Sequence, residues 1–347
     1  MEFMTSLPLM SPERQVQYGD SIMLVGSCFT EHIGNALADA KLDVMQNPNG
    51  ILFDPESVCK SLVSYVENRQ YTKEHLFRLN EVWNSWEHHS RFSRMDAEET
   101  LSLINESRRA AHHFLKKAKW LIITLGSSYS YRLTGAAEHS GVVCDNRLLH
   151  PFHPAPGVAN CHRAPAHWFQ KHMLEIDETI SLLDNCYHQL LQFNPQLEII
   201  FTVSPVRHLR DGVVANNRSK ARLIEAVHHL VDKFDRLHYF PAYELVVDVL
   251  RDYRFYDVDM AHPNYAATEF VLEKFVHSFV EPASRQLMGE LRKIMVARRH
   301  RPQHPQTKAH RDFLQNHYEK VKDLQAKYPI LNLADELRYF SSTAENR

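Results

Sequence analysis

Cysteine is sparse in this sequence and shows no pairing pattern. The five residues, Cys28, Cys59, Cys144, Cys161 and Cys186, are odd in number and none stands in a C-x-x-C pair. That excludes a disulfide framework and points to a reducing compartment. Excess charge of one sign is also missing. The 40 Lys and Arg against 42 Asp and Glu leave a formal charge of -2, so nothing draws the chain globally to nucleic acid or a membrane surface. No apolar run approaches the ~20 residues of a membrane span. Residues 1–10 lack the basic segment and apolar run of a signal peptide. The 23 histidines are scattered, with no H-E-x-x-H helix among them, so His89, His162 and His208 give no metal-ligand spacing and no metal or other cofactor is expected. These absences lead to the expectation of a soluble, cytoplasmic protein without nucleic-acid or membrane partners.

What is present is an alternation of strand and helix. At 347 residues and 44% hydrophobic content the chain has enough apolar material for one large domain or two smaller ones. Short apolar runs at 22–25, 42–45, 120–125, 197–203 and 238–240 predict strands. Amphipathic spacing predicts helices over 29–40, 55–67, 97–119, 165–193, 219–237 and 243–250, with a last one opened by His262. A long irregular insertion is expected at 135–156. Such alternation is the pattern of a parallel sheet covered on both faces. Its site lies beyond the carboxyl ends of the strands. Past Val280 the composition turns basic and helical over 284–301 and 307–328, with a polar tail. The expected division is 1–282 for the α/β domain and 283–347 for a helical extension, which would pack on the core or on a second copy in a homo-oligomer. Deleting the extension is expected to leave a folded core.

The organising stretch is Ser21-Ile22-Met23-Leu24-Val25-Gly26-Ser27-Cys28-Phe29. A buried strand, a Gly-Ser turn and a helix put the Ser27 hydroxyl at a strand end and at the positive end of a helix, a place that favours a nucleophile whose attack creates an oxyanion. The competing reading is an N-cap. Cys28 is a second candidate nucleophile, its thiol placed at the same helix start. Gly19-Asp20-Ser21 precedes the strand and so lies at the wrong end of the sheet. Downstream, Asp257-Val258-Asp259-Met260-Ala261-His262 offers a base with an acid three residues before it. Asp259 is the expected orienting acid, with Asp257 as competitor, and both Asp259 and His262 could instead cap the last helix. Arg207 and His208, at a strand end, suit a polar or anionic part of a substrate. The aromatic segment around Trp83 and Trp86, with His89, reads as a cleft wall, where Trp86 could stack on a sugar ring.

Several separated segments carry a resemblance. Gly26-Ser27-Cys28-Phe29-Thr30, Asn47-Pro48-Asn49-Gly50-Ile51-Leu52, Asn160-Cys161-His162, Thr202 to His208, Leu250 to Tyr256 and Asp259-Met260-Ala261-His262-Pro263 resemble, in order, the GSCFA-domain proteins. The likeness runs from about Ile22 to about Val280. The signature's last residue is usually Ala and here is Thr30. That family resembles the SGNH-type hydrolases. The resemblance therefore implies a flavodoxin-like, three-layer α/β/α fold (SGNH hydrolase-like) with an appended C-terminal helical segment. It further implies a Ser-His-Asp triad of Ser27, His262 and Asp259, with Ser27 and Gly50 amides in the oxyanion hole. The SGNH pattern wants an Asn in a Gly-x-Asn-Asp run, and here the run is Gly126-Ser127-Ser128-Tyr129. Asn160, or else Ser128, is the expected replacement donor. The expected activity is a serine esterase or deacylase cleaving an O-acyl ester of a small molecule or saccharide. An O-acyltransferase and a non-catalytic binding module are the alternatives.

Overall fold

The computed structural model describes residues 4–139 and 157–345. Along the chain come β1 (Ser21–Gly26), α1 (Cys28–Asp39), β2 (Asp43–Gln46), α2 (Pro55–Val66), β3 (Phe77–Leu79), β4 (Val82–Asn84), α3 (Ala97–Lys117), β5 (Trp120–Leu125), β6 (Tyr129–Leu133) and α4 (Gly135–His139). Then follow β7 (Gly157–Val158), β8 (Phe169–Met173), α5 (Ile176–Phe193), β9 (Glu198–Val203), α6 (Val213–Val231), β10 (Leu237–Tyr239) and α7 (Ala242–Glu244). The chain closes with α8 (Tyr265–Phe279), α9 (Pro282–Arg299), α10 (Lys308–Lys327) and α11 (Ala334–Glu345).

The central sheet has the order β10-β9-β5-β1-β2. Counted along the chain, its five strands run 2-1-3-4-5, the flavodoxin-like order, and the order reverses between β1 and β5. The pairs β1–β5, β5–β9 and β9–β10 are parallel. Strand alternation explains the layers. Met23 and Val25, Leu121, Ile123 and Leu125, and Ile199, Phe201 and Val203 share one apolar cluster with side chains of α2, α3, α5 and α6. The residues between them, such as Ile22, Leu24, Trp120, Ile122 and Ile200, are equally buried. Both sheet faces are therefore covered, as a three-layer α/β/α fold requires. Local signals place the helices. Asp54 accepts the Ser57 amide at 3.0 Å, with Pro55 at the first helical position of α2, the arrangement that starts a helix well.

Three sequence expectations change. The stretch 165–193 is not one helix: Ala166–Trp168 is a short 3-10 turn, β8 pairs antiparallel with β6, and only α5 is helical. The β6–β8 pair, with β7 on the other side of β6, forms a separate three-stranded sheet. The insertion begins as a helix, α4, and from residue 140 to 156 it lies outside the described residues, as does Cys144. The polar tail contains α11, whose Leu337 and Phe340 pack inward.

Two compact units result. The first takes in 1–9, 21–34 and 44–274, and the second 10–20, 35–43 and 275–347. A cut at residue 282 therefore misses part of the second unit, which is built from three separated segments. Its core gathers Leu287, Leu291, Ile294, Leu314, Val321, Leu324, Leu333 and Phe340. Val16 N–H donates to Phe279 O at 2.8 Å and Tyr18 OH to Ala40 O at 2.7 Å. Glu336, fully buried, is met by Lys41 at 2.9 Å and Arg298 at 2.5 Å, the pairing a buried carboxylate needs.

Candidate active site

The site is built at the carboxyl end of β1. Gly26 has φ +149°, and a Cβ there would run into the backbone of Thr124 on β5. Only glycine allows this approach. Ser27 follows as both the last ladder residue and the first turn of α1: its N–H donates to Thr124 O at 3.1 Å and its carbonyl accepts Thr30 N–H at 2.9 Å. The Ser27 Oγ is buried and has no hydrogen-bond partner among the described residues. It does not cap its own helix, so the capping reading fails. A buried hydroxyl left unmatched costs about 1–3 kcal/mol, and such groups call for an explanation. Burial holds the thiol of Cys28 above its ordinary range, outweighing the Cys28 and Phe29 amides that act the other way. Cys28 is thus held as a thiol, which disfavours it as the nucleophile.

The loop after β2 is tied to this strand end. Asn47, fully buried at φ +44°, donates its N–H to Leu24 O at 2.8 Å and accepts the Gly26 N–H on Oδ1 at 2.9 Å. Its carbonyl accepts the Gly50 N–H at 2.8 Å and Arg91 Nη2 at 2.5 Å. Gly50 has φ +86°, and any Cβ on it would collide with the Cβ of His89. His89 lies over this glycine, half-buried, with Nδ1 accepting the Arg91 N–H at 3.2 Å. The expected oxyanion donors are thereby corrected. The Ser27 amide is engaged by the β1–β5 ladder and the Gly50 amide by its own turn, so neither presents a free N–H here.

Of the two expected replacement donors, Ser128 is already engaged. Ser128 is fully buried, its N–H and hydroxyl both directed at Ser219 Oγ at 2.7 and 3.1 Å. It is a link to α6, not a donor to a ligand. Asn160 is half-buried, and its Oδ1 accepts the His162 N–H at 2.8 Å, which leaves Nδ2 as its donor.

The acid and base expected downstream are joined. Asp259 Oδ2 meets His262 Nδ1 at 2.6 Å, while Oδ1 accepts the Ala261 and His262 amides at 2.9 and 3.0 Å. Those bonds hold the Asp259 carboxyl down at about 2. Asp257 Oδ1 is turned to the Val258 amide at 2.9 Å instead, so it is not the orienting acid. Neither Asp259 nor His262 caps α8. That helix starts at Tyr265, and Asn264 Oδ1 accepts the Ala267 amide at 3.1 Å. Both dyad side chains are about half exposed, at 48% and 50%. No hydrogen bond joins His262 to Ser27 Oγ.

The segment after β9 links the dyad loop to the strand ends. Arg207 N–H donates to Ala261 O at 3.0 Å. The Arg207 guanidinium lies 4.1 Å from the ring centre of Tyr256 and 5.2 Å from that of Tyr253. The His208 ring sits 5.1 Å from that of Phe53, with Nε2 3.5 Å from where a Gly126 Cβ would be. Burial pushes His208 down to about 4, so it is neutral near pH 7. Trp86 is elsewhere. It is 1% exposed and stacked on Phe77 at 3.7 Å, with His162 and Phe169 edge-on. It is a core residue with no face for a sugar, because Phe77, His162 and Phe169 pack around its ring.

One residue escaped the sequence reading. Lys220 of α6 is 1% exposed, and its Nζ donates to Gly126 O at 2.5 Å and Ser204 O at 2.6 Å. The signal was a lysine on the same helical stripe as Leu223, Val227 and Leu230, all fully buried. Asn216 Oδ1, on that stripe, accepts the His208 amide at 2.9 Å.

Comparison with known proteins gives a family. The model of the GSCFA family matches residues 21–275, and that of the GSCFA domain protein, C-terminal domain, matches residues 291–346. No curated protein matches the chain. The chain belongs to the GSCFA family.

Proposed function

We propose that this GSCFA-family chain is a serine hydrolase of SGNH type, an esterase or deacylase cleaving an O-acyl ester. The observation that carries the reading is the Ser27 hydroxyl, buried and unpartnered at the end of β1, where the strand order reverses. Open α/β sheets bind ligands in that crevice. The Asp259–His262 pair supports it. With Nδ1–H donated to the carboxylate, Nε2 is the basic nitrogen.

In this reading His262 takes the Ser27 proton as Oγ attacks the acyl carbon, and the carbonyl electron pair moves onto oxygen. Collapse expels the alcohol, which leaves with the proton from His262. Water then attacks the acyl-enzyme, gives a proton to His262, and releases the acid and free Ser27. Asn160 Nδ2 and the positive end of α1 favour the oxyanion. Arg207 and His208 hold the polar part of the substrate, a small-molecule or saccharide ester. With a sugar hydroxyl in place of water the same steps transfer the acyl group.

The second reading, a binding module without turnover, draws on the engaged Ser27 and Gly50 amides and the missing Ser27–His262 bond. A fluorophosphonate probe decides. Labelling that disappears in Ser27→Ala, with ester turnover falling about 10³-fold or more in Ser27→Ala and His262→Ala, supports the enzyme. No labelling of the folded wild type favours the module.

A further inference from the structure

The committed amides leave open what meets negative charge at the end of β1, and Lys220 answers it. The register sets Gly26 beside Thr124 and Leu125 beside Val203. Ser27, Gly126 and Ser204 thus step off three neighbouring strands at one edge of the sheet. Lys220 Nζ bonds the first carbonyls past β5 and β9, those of Gly126 and Ser204, one strand away from Ser27. No carboxylate pairs with it among the described residues. A buried ammonium normally has a counterion, since two carbonyl dipoles only partly replace its hydration.

We propose that Lys220 is the buried cation of this site, stabilising the negative charge that develops at Ser27 during attack. The proposal rests on the hydrolase reading above. It gives the crevice a fixed positive charge where backbone donors are spent, and in a dry site such a charge acts across several ångströms. Its charge reaches the residue after Ser27 and the far wall alike: at Cys28 it works against the burial that holds the thiol above its ordinary range, and at His208 it adds to the burial that pushes the imidazole down. Burial brings Lys220 itself down to about 7, with Cys28 acting to raise it. The other groups facing this cluster are Glu31 beside Cys28, and Asp211, Lys171 and His262 beside His208. An ester substrate adds no charge of its own to Lys220 until the oxyanion forms, so the pairing is strongest in the transition state.

A plain structural clamp would need only two N–H donors for the two carbonyls, and this separates the roles. Lys220→Gln keeps two donors without the charge, and Lys220→Met removes both. The rate of fluorophosphonate labelling at Ser27 is followed from about pH 5.5 to about 9, with thermal midpoints measured alongside. Lys220 loses its charge as pH rises through about 7, so the wild-type rate develops a falling alkaline limb there. Both variants label about 10²-fold slower near pH 6 and lack the limb. A Gln variant with the wild-type rate and profile overturns the proposal in favour of the clamp. If the variants do not fold, Lys220→Arg, which keeps the charge at every pH used, takes their place: labelling with the alkaline limb gone supports the role, and labelling about 10²-fold slower than wild type near pH 6 despite the retained charge overturns it. Iodoacetamide alkylation of Cys28 is the independent arm. Should Ser27 take no label, the hydrolase reading fails, while slower alkylation in Lys220→Gln still supports the cation. Equal alkylation rates overturn it.

Discussion

Asn47 Oδ1 accepts the Gly26 amide at 2.9 Å, so the loop after β2 completes the hydrogen bonding at the tip of β1. The same residue sits at φ +44°, a conformation asparagine tolerates better than most. Asn47→Ala strands the Gly26 N–H and strains the turn. The expected cost is about 2–3 kcal/mol, read as a shift in the urea midpoint, with Ser27 labelling lost in step. An unchanged midpoint would show that water replaces the amide.

Gly26→Ala is expected to be worse. Its Cβ would clash with Thr124 backbone on the adjacent strand, and neither partner is the end of a flexible side chain. A loss of about 3 kcal/mol or more follows, in the same denaturant assay. Gly50→Ala, colliding with His89, should shift the 83–93 segment and change hydrogen exchange there.

Acid should destabilise the fold between about pH 6.5 and 4. His88, His162 and His208 are each pushed down to about 4 by burial. In that window the unfolded chain binds more protons than the native one, so stability falls as pH falls. Asp54, raised to about 6 by burial, and Glu244, raised by burial as well, work the other way, while His89, lowered by burial, adds to the three. Urea midpoints against pH check this. His88→Asn, which keeps a side-chain partner for Ser85 Oγ, should lessen the slope by about one proton. An identical slope would mean that His88 titrates alike in the native and unfolded chains.

Trp86→Ala should act on stability, at about 3–5 kcal/mol, because the ring fills a core between Phe77 and Phe169. Selective loss of saccharide binding with an unchanged thermal midpoint would restore it to the site.

Deleting residues after Pro282 should give an unstable product. Segments 10–20 and 35–43 belong to the unit that the deletion removes, and Val16, Leu37 and Ala40 are buried in the native chain. Solubility and far-UV circular dichroism of the truncated chain decide between this and the independent core that composition suggested.

The parts of this protein readable from sequence are those fixed by short-range pattern. Apolar runs located all five central strands, and the D-x-x-H spacing located the Asp259–His262 pair. What escaped depends on long-range geometry. The Ser27 and Gly50 amides were spoken for by partners on β5 and in the Asn47 turn, which no periodicity reveals. Lys220 reads as an ordinary helix residue until the two carbonyls beneath it are placed. Trp86 was misread because it lies in the turn after β4 (Val82–Asn84), where no strand or helix period shows which way a side chain faces. The division at residue 282 followed composition, whereas the second unit is assembled from segments of ordinary composition far apart in sequence.

That discontinuous unit has a consequence for synthesis. Translation delivers α1 early, but the segments completing the unit around its second half, from Phe275 onward, leave the ribosome last. Chains are made at about 5–20 residues per second, so Leu37 and Ala40 wait on the order of ten seconds or more for the rest of their unit. During that interval the nascent chain carries Leu37 and Ala40 without the later segments of their unit. That unit therefore cannot complete its core until the segments from Phe275 onward have been made.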